Sequence, residues 1–94
     1  MKAKMHNYSD WVKETSSKKL KSYYNSVLIE SGFKILNIID KHFEPYGYTA
    51  LFLLAESHFA IHTFPEQKTT YIELSSCVQK PYYKFLNIIS NGQK

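Results

Sequence analysis

The spacing of apolar residues changes period at Gly32, and that change sets what this chain can build. Before it, Leu20, Tyr23, Tyr24, Val27 and Leu28 recur at the i, i+3, i+4, i+7 and i+8 positions of one helical face, in a helix that is clear by Ser17. Gly32 stands where a helix stop is expected, because glycine enters the left-handed region without a Cβ clash. After it, Phe33 to Ile39, Tyr48 to Ala55, His58 to Phe64 and Thr69 to Cys77 read as strands, rich in aromatic and branched side chains. Glu44-Pro45-Tyr46-Gly47 and Pro65-Glu66-Gln67-Lys68 punctuate them as turns. Pro81 is placed as the first residue of a last helix, whose stripe is Tyr82, Phe85, Leu86 and Ile89. Upstream, the Lys-Ala-Lys-Met alternation marks Met1 to Tyr8 as a short first strand, and Asp10 as a helix cap. The order expected is strand, helix, three strands, helix. Short turns between consecutive strands impose antiparallel pairing. The expected class is α+β: a two-layer sandwich, with a four-stranded antiparallel sheet carrying two helices on one face. The other face is left for a partner or a ligand.

The 94 residues make one domain, 1–94. Twelve basic residues against eight acidic ones give a net charge of +4, which raises the possibility of a nucleic-acid module. Every basic residue is lysine, however, and the bidentate grips that read guanine or clasp phosphate favour arginine. Lys18, Lys19 and Lys21 read as a solvated helix face, and no nucleic-acid partner is expected. A single cysteine forms no internal disulfide, and no charged-then-apolar leader opens the chain, so a cytoplasmic protein is expected. The longest apolar stretch, Tyr48 to Ala55, is too short to cross a bilayer, and no membrane partner is expected. Eight Tyr and six Phe in so small a chain favour an oligomer that covers them.

The chemistry concentrates in Leu54-Ala55-Glu56-Ser57-His58-Phe59-Ala60-Ile61-His62-Thr63-Phe64-Pro65-Glu66, followed by Cys77. Singly these residues are ordinary: His62 fits a half-buried strand histidine, and Cys77 a small core residue. His58 and His62 would form a metal pair on a helix, but the flanking alternation indicates a strand and no third ligand is evident. No metal is expected. Together, a serine, a histidine and a thiol surround one Glu-Ser peptide bond. Serine can serve as a nucleophile where the site stabilises the oxyanion, and histidine as a base near neutrality.

This joint pattern resembles the processing site of the bacterial-type S-adenosylmethionine decarboxylases, over roughly Asp10 to Cys77 and most closely from Phe43 to Cys77. Glu30-Ser31-Gly32 and Phe43-Glu44-Pro45-Tyr46-Gly47 match further elements of that family. The resemblance implies self-cleavage between Glu56 and Ser57, with Ser57 converted to a pyruvoyl cofactor. Ser57 attacks the Glu56 carbonyl, and His62 removes the Ser57 α-proton. Thr49 stands where the family has a helper serine, and Cys77 returns a proton to the product. The substrate amine is held as a Schiff base on the pyruvoyl ketone, which takes the electrons released with CO2. Phe43 is implied to stack on an adenine and Glu66 to hold ribose hydroxyls; otherwise they read as a core aromatic and a solvated turn residue. The implied substrate is S-adenosylmethionine, on the route to spermidine, in a homodimer of cleaved protomers with the site near the interface. L-ornithine or L-arginine is the alternative substrate, as some relatives use these. A silent paralogue that regulates an active partner is a third reading, since the family's Gly-Arg-His near the first strand and its final edge strand have no counterpart here.

Overall fold

A computed structural model describes residues 3–92. Its elements run β1 (His6–Val12), α1 (Ser17–Ser31), β2 (Ile35–His42), β3 (Tyr48–Leu54), β4 (Ser57–Phe64), a 3-10 turn (Pro65–Gln67), β5 (Thr69–Ser76) and α2 (Gln79–Gly92). The strands form one antiparallel sheet in the order β1-β5-β4-β3-β2. The α+β class and the two helices agree with the sequence, but the sheet has five strands, not four. Every extended segment that the sequence offers finds a neighbour, because a strand left out would carry unpaired backbone groups.

Two further corrections concern the N-terminal region. The first strand lies later than Met1 to Tyr8, and Met1 and Lys2 fall outside the described residues. Its register runs from His6 opposite Ser76 to Val12 opposite Thr70, so it takes residues up to Val12 to cover β5. Asp10 is therefore a strand residue, whose carboxylate accepts from Tyr8 Oη at 3.1 Å and from the Trp11 N–H at 2.8 Å. The cap of α1 is Ser16, which accepts from the Lys19 N–H at 3.3 Å. At the other end Gly32, at φ 106, donates its N–H to the last turn, as its position predicts. Pro81 is the third residue of α2 rather than the first.

Alternation along the strands sorts the side chains. Phe52, Phe59, Ile61, Ile72 and Leu74 are fully buried beneath the helices, against Leu20, Tyr24, Val27 and Leu28 of α1 and Tyr82, Phe85 and Ile89 of α2. Phe59 joins all three parts. Its ring centroid lies 5.0 Å from Tyr24, 5.7 Å from Phe52 and 5.7 Å from Phe85. Phe59→Ala is expected to cost about 3–5 kcal/mol, a fall in melting temperature of more than about 12 °C for a domain of this size. A melting temperature within about 4 °C of the parent's would remove Phe59 from this role. The opposite sheet face carries no helix and exposes Trp11, Ile39, Leu51 and Leu53.

Candidate active site

Between β3 and β4 the chain reverses in two residues, Ala55 and Glu56, with Leu54 and Ser57 as register partners. A reversal this tight uses positive φ, and Glu56 takes φ 63. A side chain other than glycine in that region costs on the order of 1–3 kcal/mol. The strained residue is the one whose carbonyl forms the Glu56–Ser57 bond.

Three groups converge on that carbonyl. Ser57 Oγ lies 2.7 Å from Glu56 O. Cys77 Sγ donates to the same oxygen at 3.2 Å, and the Cys77 backbone N–H donates at 3.4 Å. The register explains the meeting. Ser57 stands opposite Ser76, so the first residue beyond β5 falls beside the last residue before β4. Ser57 is buried, whereas Glu56 and Cys77 are exposed at the rim of the sheet. A carbonyl that accepts from two donors, with a hydroxyl at contact distance, is arranged for attack with the developing charge held on its oxygen.

A second group lies toward the other end of β4. Thr49 Oγ1 and His62 Nδ1 are 3.1 Å apart across the β3–β4 pair. On the far side, the Tyr71 ring stacks near His62 with centroids 6.3 Å apart and planes at 22°. With the ring hydrogen on Nδ1 and donated to Thr49, Nε2 is the free base. Phe43 and Glu66 belong to this end as well. Phe43 follows β2 and donates its backbone N–H to Gly47 O at 2.9 Å, and Glu66 sits in the 3-10 turn after β4. Phe43 and Pro65 line a cleft of about 310 Å³ with Thr63 and Tyr48. Beneath it the Tyr48 hydroxyl donates to Asp40 at 2.7 Å and Lys21 pairs with the same carboxylate at 3.0 Å. The Tyr48 bond, and then Lys21, hold the Asp40 carboxyl below the usual carboxylate range. Burial, and then Asp40, push the Tyr48 phenol above its ordinary value.

The fold thus brings Glu56, Ser57 and Cys77 together, and separately Thr49 with His62, near the end that carries Phe43 and Glu66. It does not join the two groups within one chain. His62 is the fifth residue after Ser57 on β4, a separation of roughly 16 Å at the usual rise per residue. The odd spacing also turns the two side chains to opposite faces. Ser57 faces the helices and His62 the bare face. Among the described residues, no cluster of three or more His, Cys, Asp or Glu could hold a metal. No helix among them is long and apolar enough to cross a membrane.

The sequence model of the S-adenosylmethionine decarboxylase family matches residues 7–92. The chain belongs to that family. It is 51% identical over 47 residues to S-adenosylmethionine decarboxylase proenzyme 2 of Bacillus cereus, a match covering 50% of this chain and 38% of that one. The proenzyme of Prochlorococcus marinus is 47% identical over 47 residues, with the same coverage. The proenzyme of Hydrogenobaculum is 44% identical over 55 residues, covering 53% of this chain and 41% of that one. These matches therefore span less than half the length of the curated relatives. The crystal structure of the adenosylmethionine decarboxylase from Aquifex aeolicus shares the fold, with a TM-score of 0.70 at 20% identity over 96% of this chain and 82% of that one.

One residue beside the Glu56–Ser57 bond carries no motif that singles it out in the sequence. Ser76 Oγ lies 2.7 Å from Ser57 Oγ, in a fully buried position. Its only signal is alternation: Ile72, Leu74 and Ser76 share one face of β5, so a serine is placed among core residues.

Proposed function

We propose that this chain is a proenzyme that cuts itself between Glu56 and Ser57, carries a pyruvoyl group at residue 57, and decarboxylates S-adenosylmethionine as a homodimer. The observation that carries this reading is the convergence of the Ser57 hydroxyl and both Cys77 donors on the carbonyl of one strained residue. The donor set suits formation of the group in place. Ser57 Oγ attacks the Glu56 carbonyl carbon, the amide becomes an ester, and Cys77 steadies the oxyanion. A base then takes the Ser57 α-proton, the Glu56 carboxylate leaves by β-elimination, and water releases the former Ser57 nitrogen as ammonia. Once formed, the pyruvoyl group would supply a sink for the electron pair left behind as CO2 departs. Cys77 stays beside residue 57 and is positioned to return a proton to the product carbon.

His62 does not reach Ser57 in its own chain, which favours a site completed by a second copy. The bare face exposes Trp11 (57%), Ile39 (64%), Leu51 (50%) and Leu53 (53%), an apolar surface suited to burial. Two such faces set together about a two-fold axis across the strands bring the His62 end of one β4 toward the Ser57 end of the other. The partner's His62 is then the α-proton base, oriented by the partner's Thr49. The partner's Phe43 and the partner's Glu66 arrive from the same end, offering a stacking face for adenine and an acceptor for ribose hydroxyls.

The test is CO2 release by the purified, processed protein from carboxyl-labelled S-adenosylmethionine, L-ornithine and L-arginine. Release from S-adenosylmethionine is expected to exceed the others by at least about a hundredfold in kcat/KM, because neither amino acid offers a ring to Phe43 or a diol to Glu66. Equal or faster release from ornithine or arginine overturns the substrate assignment.

A further inference from the structure

The Ser57 hydroxyl has one hydrogen and two acceptors at equal reach. Glu56 O and Ser76 Oγ each lie 2.7 Å from Ser57 Oγ. Donation to Glu56 O spends the hydroxyl on the carbonyl it has to attack. Donation to Ser76 leaves the lone pairs of Ser57 Oγ free beside that carbonyl. Ser76 is built to receive it. Its oxygen accepts from the Val78 N–H at 3.0 Å, and its own hydrogen is donated to Val78 O at 3.1 Å. One lone pair remains, and it faces Ser57. Ser76 has no exposed surface, so no water competes for that place.

Resting on the self-cleavage reading above, we propose that Ser76 is a positioning residue for the acyl shift, drawing the Ser57 hydrogen away from Glu56 O so that Ser57 Oγ presents a lone pair to the carbonyl carbon. In the shift the Oγ–C bond forms, the Glu56–Ser57 C–N bond breaks, and the hydroxyl proton ends on the Ser57 nitrogen. The step is an isomerisation and needs no co-reactant. Cys77 completes the arrangement from the other side: its two donors replace the bond that Glu56 O gives up when the Ser57 hydrogen turns. Without Ser76, the buried hydrogen has only Glu56 O as partner, and attack begins by breaking that bond unaided.

Freshly made chains, kept reduced, are followed by intact mass with and without neutral hydroxylamine, which cleaves an ester but leaves an amide intact. Ser76→Ala is expected to slow cleavage by about 10- to 100-fold, the loss of one buried hydrogen bond expressed as a rate. Hydroxylamine should not restore it, because the ester has not formed. Ser76→Cys fills nearly the same space with a weak donor and acceptor and should be slow as well. Ser76→Thr keeps the hydroxyl and should cleave close to the parent rate. Ser75→Ala, which removes only the surface bond to Asn7, should also match the parent. Hydroxylamine-sensitive ester building up in Ser76→Ala would put the defect in elimination and overturn the proposal, as would parent-like cleavage of Ser76→Ala or Ser76→Cys. A parent chain that never splits overturns the self-cleavage reading and this inference with it. A parent that splits while Ser76→Ala keeps pace overturns this inference alone.

Discussion

Replacing Ser57 with alanine is expected to leave the chain in one piece, under conditions where the parent yields the fragments 1–56 and 57–94. Ser57 Oγ lies 2.7 Å from the Glu56 carbonyl oxygen and is the oxygen that would form the ester, whereas the Cys77 thiol and N–H donate to that carbonyl oxygen. The second fragment of the parent should carry the mass of a pyruvoyl end in place of serine, and Ser57→Ala should show neither the split nor any CO2 release. Folding should survive, since the substitution removes one hydroxyl and its hydrogen bonds at a cost of about 1 kcal/mol. Intact mass under denaturing conditions reads all of this in one spectrum. A Ser57→Ala chain that still splits between residues 56 and 57 sinks the mechanism.

The second large effect is a rescue. His62→Ala alone is expected to slow cleavage by about 10²- to 10⁴-fold, the usual worth of a positioned general base. Hydroxylamine should nevertheless cut it, because the ester forms and then waits for the base. Co-expressed with Ser57→Ala under separate affinity tags, the His62→Ala chain should be cleaved within the mixed dimer. That dimer pairs an intact Ser57 on one chain with an intact His62 on the other. The Ser57→Ala chain beside it should stay whole. The reason is the roughly 16 Å of strand between residues 57 and 62 of one chain. Cleavage of neither chain in the purified mixed dimer would show that His62 serves its own Ser57, and that the two ends of β4 approach by some other route.

Much of this was legible because it is local. The helical spacing of Leu20 to Leu28, the stop at Gly32 and the turn at Pro65–Lys68 are each decided by residues a few positions apart, and all appear where the sequence puts them. Asp10 was misread as a cap because a short polar side chain serves a strand edge as readily as a helix start, and only pairing with β5 decides between them. The strand number failed for a related reason, since which segments pair is a property of the whole sheet. The residue types of the site were legible as a motif, but their grouping was not. That grouping depends on register: Ser57 opposite Ser76, and Thr49 opposite His62. The parity of residues 57 and 62 on one strand would have shown that they face apart. Ser76 gave no chemical signal, since a serine in Leu-Ser-Ser-Cys looks like any polar residue until the alternation buries it.

The place of the proposed cut within the sheet order would govern the life of the two fragments afterwards. The first fragment would own β1, α1, β2 and β3, and the second β4, β5 and α2. In the order β1-β5-β4-β3-β2, the two strands of the second fragment lie between β1 on one flank and β3 on the other. The shorter piece is held like a page in a clasp, and leaving would mean unzipping two strand pairs and lifting Phe85 and Ile89 out of the core at once. Severing the backbone at this hairpin would therefore turn one molecule into two without loosening the fold, and the new chain end at residue 57 would be fixed by the strands around it.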